Sequence, residues 1–373
     1  MNAPLRVAIV GASLRILGGH AVQAQRMLDG WRGDPRIEAW LVPIDPLPPA
    51  PLDRLRRIPY ARTAVTQLVY WPLLARELRR ADVVHIFSAS YTSFLLAPLP
   101  AVIVARSLGK PVVLNYHSGE APDHLRRSAL ARYVLRNAAH LNVVPSPFLR
   151  DVFASFDIAA AVVPNTIDLA RFAYRAREPL RPHLLCTRNL DRVYNVACVL
   201  RAFARIQAER PDARLTLVGS GPEEPALRAL AARLGLRDVT FAGRVPPMDI
   251  HRYYADADIY VQTPAIDNMP LSLLEAFASG LPAVSTRVGG VPAMLTDGVH
   301  GLLAPEDDDV AVAACVLRLL DSPAYARMLA AAARAACVAY EWPATRELWL
   351  AAYETAVTGR RQTTEAAPSS ASI

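Results

Sequence analysis

Lysine is almost missing from this chain. Lys110 is the only one, so all but one of its 41 basic residues are arginine. Arginine suits bidentate contacts to phosphate and carboxylate, but it does not reproduce a lysine point charge. Cysteine is also scarce. Cys186, Cys198, Cys315 and Cys337 are the four present, and no two form a CxxC pair. That excludes a disulfide scaffold and a cysteine zinc site, and the thiols are expected to be reduced and buried. No apolar run is long enough to cross a bilayer. The most apolar stretch, Ser93 to Ala105, contains Pro98 and Pro100 and is shorter than the about 20 residues a span requires. Met1 to Pro4 leads directly into the strand-like Arg6-Val7-Ala8-Ile9-Val10, so no signal peptide is expected. No repeat of solenoid period occurs. A soluble or peripheral protein made in the cytoplasm is expected.

The chain has 373 residues, and 53% of them are hydrophobic. This is more than one ordinary core and suits two domains. Short β-branched runs alternate with helical patterns. Strands are expected at Val7–Val10, Ile37–Val42, Val83–Phe87, Val112–Asn115, Leu141–Val144 and Ala160–Val163. The pattern restarts with strands at His183–Thr187, Arg214–Val218, Val239–Phe241, Ile259–Gln262 and Ala283–Ser285. Helices are expected between them, including Ser93–Leu108, His124–Asn137 and Leu271–Ser279. Alternation of this kind predicts α/β architecture with parallel sheets, doubly wound in each half. The expected division is 1–170, 171–340, a C-terminal helix at 341–357 and a disordered tail at 358–373. Pro43–Pro59, with its six prolines, reads as a surface loop. Open α/β sheets bind ligands at the C-terminal edges of their strands, so a cleft between the halves is the expected site.

The segment Asp267 to Gly280 carries the chemistry. Pro270 stands near a helix start, and Gly280-Leu281-Pro282 ends the helix. Asp267 then lies before the helix and Glu275 about one turn inside it. First-turn amides, here Leu271 to Leu274, are donors at a positive dipole end and suit phosphate oxygens. A carboxylate further in can accept two vicinal ribose hydroxyls. A capped surface helix with a solvated glutamate gives the same spacing, so the pair alone does not decide.

Its surroundings resemble the sugar-nucleotide signature of family 4 (group 1) retaining glycosyltransferases of GT-B fold. That signature has two glutamates seven residues apart, then Ala-x-Ala-x-Gly-x-Pro. Here Asp267 stands in the first place and Glu275 in the second, followed by Ala276-Phe277-Ala278-Ser279-Gly280-Leu281-Pro282 and Val288-Gly289-Gly290-Val291-Pro292. Asp297-Gly298 with Gly301-Leu302-Leu303, Val163-Pro164-Asn165 with Asp168 and Phe172, and Leu217-Val218-Gly219 with Gly221-Pro222 are similar to further family patterns. Gly18-Gly19 is similar to its N-terminal glycine loop, and Asn115-Tyr116-His117 to its strand-end histidine.

The resemblance implies two facing Rossmann-like domains, with a C-terminal helix crossing back to the first. It implies a UDP- or GDP-sugar as donor substrate, no cofactor, and front-face substitution with retention. Arg188 would stabilise the leaving diphosphate, Asp267 would position the sugar, and His117 would touch it from the first domain. Glu275 would hold the ribose. Gly18, Gly19, Arg192, Arg244, Val245, Asn268, Met269, Leu271 and Leu274 complete the donor contacts, and closure of the cleft would assemble the site. The family's lysine after Arg188 falls near Tyr194-Asn195, where this chain has none. Arg192 supplies a second cation there, or Tyr194 and Asn195 donate hydrogen bonds, or Arg192 is a solvated loop charge. No acidic cluster is placed for a metal ion. Asp307-Asp308-Asp309 reads as a helix cap.

The acceptor would be a glycan or a lipid-linked sugar in surface polysaccharide or glycolipid synthesis, with Glu120 as one contact. The formal net charge is +7. Two basic stretches, Arg54 to Arg80 with Tyr60, Tyr70 and Trp71, and His124 to Arg136, suit the anionic inner face of a cell membrane as well as they suit plain solvated helices. Scattered charge and the absence of a recognition motif argue against nucleic acid. Two other classes stay open. One is a non-catalytic nucleotide-sugar-binding partner of another transferase. The other is a GT-B-fold epimerase, which would need more acid and base groups than the cleft offers.

Overall fold

The structure, a computed structural model, describes residues 3–16, 18–50, 58 and 61–359. The tail expectation from residue 360 on, most of the latter half of the expected Pro43–Pro59 loop, and Arg54, Arg56, Arg57 and Tyr60 of the first basic stretch lie outside the described residues. The chain divides into two units. Residues 1–163 with 346–373 form the first, and 164–345 form the second. The division falls at 163 rather than 170 because the following residues are bound into the second unit. Asn165 Nδ2 donates to the Met269 carbonyl at 2.9 Å, and the Ile167 amide donates to the Tyr340 carbonyl.

The first unit runs β1 (Leu5–Gly11), α1 (Gly19–Trp31), β2 (Ile37–Pro43), α2 (Ala61–Leu78), β3 (Val83–Ser88), α3 (Tyr91–Leu96), α4 (Pro98–Ser107), β4 (Val112–Tyr116), α5 (Ala121–Arg127), α6 (Ala129–Tyr133), β5 (Leu141–Val144), α7 (Pro147–Ala154) and β6 (Ala161–Val162). All strand pairs are parallel, in the order β2-β1-β3-β4-β5-β6. Strands β3, β4 and β5 are buried throughout, which is why they read as continuous apolar runs rather than alternating ones.

The second unit runs β7 (His183–Thr187), α8 (Val196–Glu209), β8 (Arg214–Val218), α9 (Glu224–Arg233), β9 (Val239–Gly243), α10 (Ile250–Asp256), β10 (Ile259–Val261), α11 (Leu271–Ala278), β11 (Ala283–Thr286), α12 (Val291–Met294), β12 (Leu302–Ala304), α13 (Asp309–Asp321) and α14 (Pro323–Ala336). Its sheet is also parallel, in the order β12-β11-β10-β7-β8-β9. Helix α15 (Trp342–Thr358) starts in the second unit and belongs to the first from Arg346 onward. There Trp349 and Tyr353 pack around His85, and the Tyr353 hydroxyl lies 2.9 Å from His85 Nδ1.

Two expected helices are broken. Ser93–Leu108 divides at Ala97, because Pro98 has no amide to continue α3 and instead takes the first position of α4. His124–Asn137 divides at Ser128, whose hydroxyl caps α6 by accepting from the Ala131 amide. Strand β12 and helices α10 and α12 were not expected from the sequence.

In each sheet the chain moves to opposite sides of one central strand. The topological switch point lies between β1 and β3 in the first unit, and between β7 and β10 in the second. Loops leaving the C-terminal ends of such a strand pair splay apart and leave a crevice.

Candidate active site

Arg188 follows β7 directly, and Asp267 lies in the loop that leaves β10. The second unit's switch point therefore brings them together across 79 residues of sequence. Arg188 Nη2 donates to Asp267 Oδ2 at 2.5 Å, and Nη1 donates to Ser272 Oγ at 3.0 Å. Both charged side chains are nearly buried, at 9% and 12% exposed. The Tyr194 ring lies under the guanidinium, 4.0 Å from its carbon, as a cation–π partner. Burial opposes the charge, but Asp267 with Tyr194 overcomes it and raises the Arg188 pKa. Arg188 Nε is buried and has no hydrogen-bond partner among the described residues. The site thus holds a fixed cation with one donor to spare.

A polar chain beneath Arg188 sets its angle. Ser272 Oγ donates to Gln262 Oε1 at 3.1 Å, the Tyr260 hydroxyl donates to the same oxygen, and Gln262 Nε2 donates to Ser285 Oγ. Gln262 and Ser285 are fully buried. Buried polar groups of this kind stabilise only when all are satisfied. Gln262→Leu takes a partner from three hydroxyl groups at once and should cost about 3 kcal/mol in urea unfolding, against about 1 kcal/mol for Tyr260→Phe.

Glycines bring the neighbouring backbone close. A Cβ on Gly219, at φ +140°, would sit 2.1 Å from the Arg188 carbonyl oxygen. One on Gly221 would meet the Leu190 carbonyl at 2.3 Å. On the other side the Gly290 amide donates to the Asp267 carbonyl at 3.0 Å, and the Asn268 amide donates to Asp267 Oδ1 at 2.8 Å.

Helix α11 is buried along one turn after another, Ser272 through Ala278. Glu275 is 8% exposed. It lies beside the Tyr254 hydroxyl, whose pKa is raised well above its ordinary value by burial first and by Glu275 next. Tyr254 also approaches Thr187 Oγ1 at 2.5 Å and donates to the Ser272 carbonyl at 3.2 Å. Of the four first-turn amides, those of Leu273 and Leu274 donate to the Pro270 carbonyl, so Leu271 and Ser272 carry the open ones. Asn268, Met269 and Leu274 are buried. Met269 receives Asn165 at both its sulfur and its carbonyl, which holds the loop in place, and the Leu274 carbonyl in α11 receives the Cys337 thiol. Val245 is half-buried against the same apolar cluster, and Arg244 is exposed.

The missing-lysine question takes a definite shape. Tyr194 offers its ring face to Arg188. Asn195 Nδ2 donates to Asp307 Oδ1 at 2.9 Å, and Arg192 is exposed on a short 3-10 turn. Asp308 caps α13 through the Ala311 amide, while Asp307 pairs with Arg201, and Asp309 with Arg201 and Arg205.

In the first unit Gly18 and Gly19 form the exposed start of α1, with open space around the Gly18 Cβ position. The next residue, His20, places its ring 5.2 Å from that of His117, which leaves the end of β4. Phe87 packs beside both, its ring tilted to each. Burial holds the His20 pKa down to about 4 and the buried His85 down to about 3. His117 is held well below its ordinary value by burial and by those two rings. A neutral imidazole gives this site hydrogen-bonding capacity without charge. Glu120 stands at the start of α5, its amide bound to Ser118 Oγ.

The residues absent from the sequence reading are Tyr254, Gln262, Ser272 and His85. Their signal was weak: each sits in an apolar strand or helix that reads as core.

The structure is thus two doubly wound parallel sheets, the second with a buried arginine and carboxylate at its switch point. Residues 19–171 match Glycosyltransferase Family 4, and residues 181–322 match Glycosyl transferases group 1. The chain belongs to this glycosyltransferase family. It is 27% identical to the D-inositol 3-phosphate glycosyltransferase of Segniliparus rotundus over 83% of this chain and 74% of that protein. It is 26% identical to the alpha-monoglucosyldiacylglycerol synthase of Streptococcus pneumoniae over 62% of this chain, and spans 57% of that protein's length. Sucrose-phosphate synthase of Thermosynechococcus elongatus superposes over 95% of this chain and 100% of its own, with a TM-score of 0.77 at 20% identity. The Anabaena protein HepE, solved with UDP-glucose, covers 94% and 100% with a TM-score of 0.76 at 16% identity. The fold is GT-B.

Proposed function

We propose that this glycosyltransferase takes a sugar from a UDP- or GDP-sugar and passes it, with retention at the anomeric carbon, to a glycan or lipid-linked acceptor. The observation that carries this reading is the buried Arg188 guanidinium, clamped by Asp267 and Ser272 with Nε open. Departure of a nucleoside diphosphate leaves two negative charges, and a preorganised cation in a site closed to water is the strongest stabiliser of such charge. The leaving phosphate oxygen takes the acceptor's proton, so no separate base is needed. Asp267 positions sugar hydroxyls and Glu275 holds the ribose, while neutral His117 is the first unit's hydrogen-bonding group. Arg188 with the open amides of α11 fills the part a metal ion would otherwise play. The acidic run at Asp307 to Asp309 is already committed to capping and to arginines. Relatives named for diacylglycerol and inositol phosphate acceptors support a lipid or polyol hydroxyl as acceptor, in glycolipid or surface glycan synthesis.

A donor screen by thermal shift, followed by nucleoside diphosphate release with acceptor, tests the proposal. Glu275→Ala should lower kcat/KM for the donor about 10²-fold, roughly 2.7 kcal/mol. Near-normal transfer in that variant sinks the ribose assignment. A second reading, donor binding without transfer, is favoured by the place of Asp267, which neutralises Arg188. Thermal stabilisation by donor with no diphosphate release under any acceptor would establish it.

A further inference from the structure

The two basic stretches of the first unit differ in what their arginines do. Around α5 and α6 three of the four guanidinium groups, all but that of Arg126, are committed to the protein. Arg127 pairs with Asp123 at 2.9 Å, Arg132 donates to the Leu125 and Arg126 carbonyls, and Arg136 donates to the Phe156 carbonyl. Helix α2 is different. Between residues 61 and 80 stand Arg62, Arg76, Arg79 and Arg80 against Glu77 as the one acid. Arg62 and Arg79 make no ion pair among the described residues, and Arg76 is 82% exposed beside Glu77.

The same helix turns an apolar face outward. Leu68 is 68% exposed and Trp71 39%, one turn apart. Segment 91–107 packs alongside. Gln67 Nε2 donates to the Leu96 carbonyl at 2.8 Å, and the Tyr70 hydroxyl donates to the Ala97 carbonyl at 3.0 Å. From that segment Leu95, Leu96 and Ile103 are exposed as well. Residues 91–110 contain Arg106 and Lys110 and no acid. Clustered large apolar side chains rimmed by one sign of charge mark an interaction site rather than scattered surface leucines.

We infer that α2 and segment 91–103 form a docking face for an anionic lipid bilayer. Leu68, Trp71 and the Leu95-Leu96 pair enter the headgroup boundary, and the arginines around them meet lipid phosphates. Charge selects the occupant. A protein partner would have to bring an acidic rim to match, whereas a bilayer with anionic lipids supplies it over any area, and tryptophan favours that boundary. The face deepens the lipid-acceptor reading by naming the surface from which such an acceptor would come, but it stands on geometry separate from Arg188.

The test is flotation of the full chain with vesicles of phosphatidylcholine alone and of phosphatidylcholine with phosphatidylglycerol, at low and high salt. Binding is expected to the anionic vesicles only and to weaken with salt. Leu68→Gln with Trp71→Gln should reduce it about tenfold or more, and Arg62→Ala and Arg79→Ala about fivefold each. Arg126→Ala should stay within about twofold, since Arg126 is on neither α2 nor segment 91–103. Arg188→Ala combined with Asp267→Asn should float like the parent, so loss of transfer and loss of docking are read separately. Equal flotation of the Leu68/Trp71 variant, or absence of flotation with anionic vesicles, overturns the inference. So does a parent dimer that this variant turns into monomer on size exclusion, since a second copy would then cover the face.

Discussion

Arg188→Ala should cut nucleoside diphosphate release about 10²- to 10³-fold, roughly 2.7–4 kcal/mol at the transition state. The loss should fall on kcat more than on KM, because the charge to be met grows as the glycosidic bond breaks. The substitution also strands Asp267. Its Oδ2 loses a 2.5 Å partner in a place 12% exposed. Breaking a buried pair from one side costs about 3–5 kcal/mol, so a dead variant could be an unfolded one. Asp267→Asn added to Arg188→Ala removes the stranded charge and should recover most of the urea midpoint without recovering transfer. Arg188→Lys should go part of the same way. It keeps a cation beside Asp267 but cannot reach Asp267 and Ser272 together, so stability should suffer less than catalysis. If folded Arg188→Ala turns over within about threefold of the parent, the leaving group is stabilised elsewhere and the assignment falls.

The strands were legible because a buried parallel sheet leaves little choice of residue. Leu141–Val144, His183–Thr187 and Arg214–Val218 end where the apolar runs end. Leu302–Ala304 was not, being three residues long and following the glycine-rich turn at Gly298 and Gly301. Helix breaks hid for a different reason. Periodicity runs straight through Ala97 and Ser128, and the stops come from a proline lacking an amide and from a hydroxyl cap. In the site, Arg188, Asp267 and Glu275 could be named because they stand where the resembled family's signature places its arginine and its two acids. Gln262 could not. Its importance comes from an amide facing Tyr260, Ser272 and Ser285 at once, and no local pattern encodes that meeting. The role of Tyr194 was open in the sequence for a related reason: phenol and ring face are the same residue, and only packing chooses the face.

Gly289→Ala should be among the most damaging single-methyl changes in the second unit. The glycine sits at φ +51°, and its missing Cβ would lie 1.9 Å from the Asp267 carbonyl oxygen. Left-handed backbone costs an alanine about 1–2 kcal/mol. The overlap adds about 1–3 kcal/mol, because the atom it meets is backbone and cannot rotate away. About 3 kcal/mol in all should lower Tm by about 6–12 °C. Relief comes only by moving Asp267, and Asp267 carries Arg188 with it. A shift of about 1 Å in a positioning group costs about 10²-fold in rate, so transfer should fall even at temperatures where the variant is folded. Gly298→Ala separates the two causes. Gly298 is also left-handed, at φ +73°, but a Cβ there would meet only the Tyr325 hydroxyl, at 3.6 Å. It should lose about 1–2 kcal/mol from backbone strain and keep its transfer rate. Should both alanines prove equally mild, the close approach of Gly289 to Asp267 is not what holds the carboxylate against Arg188.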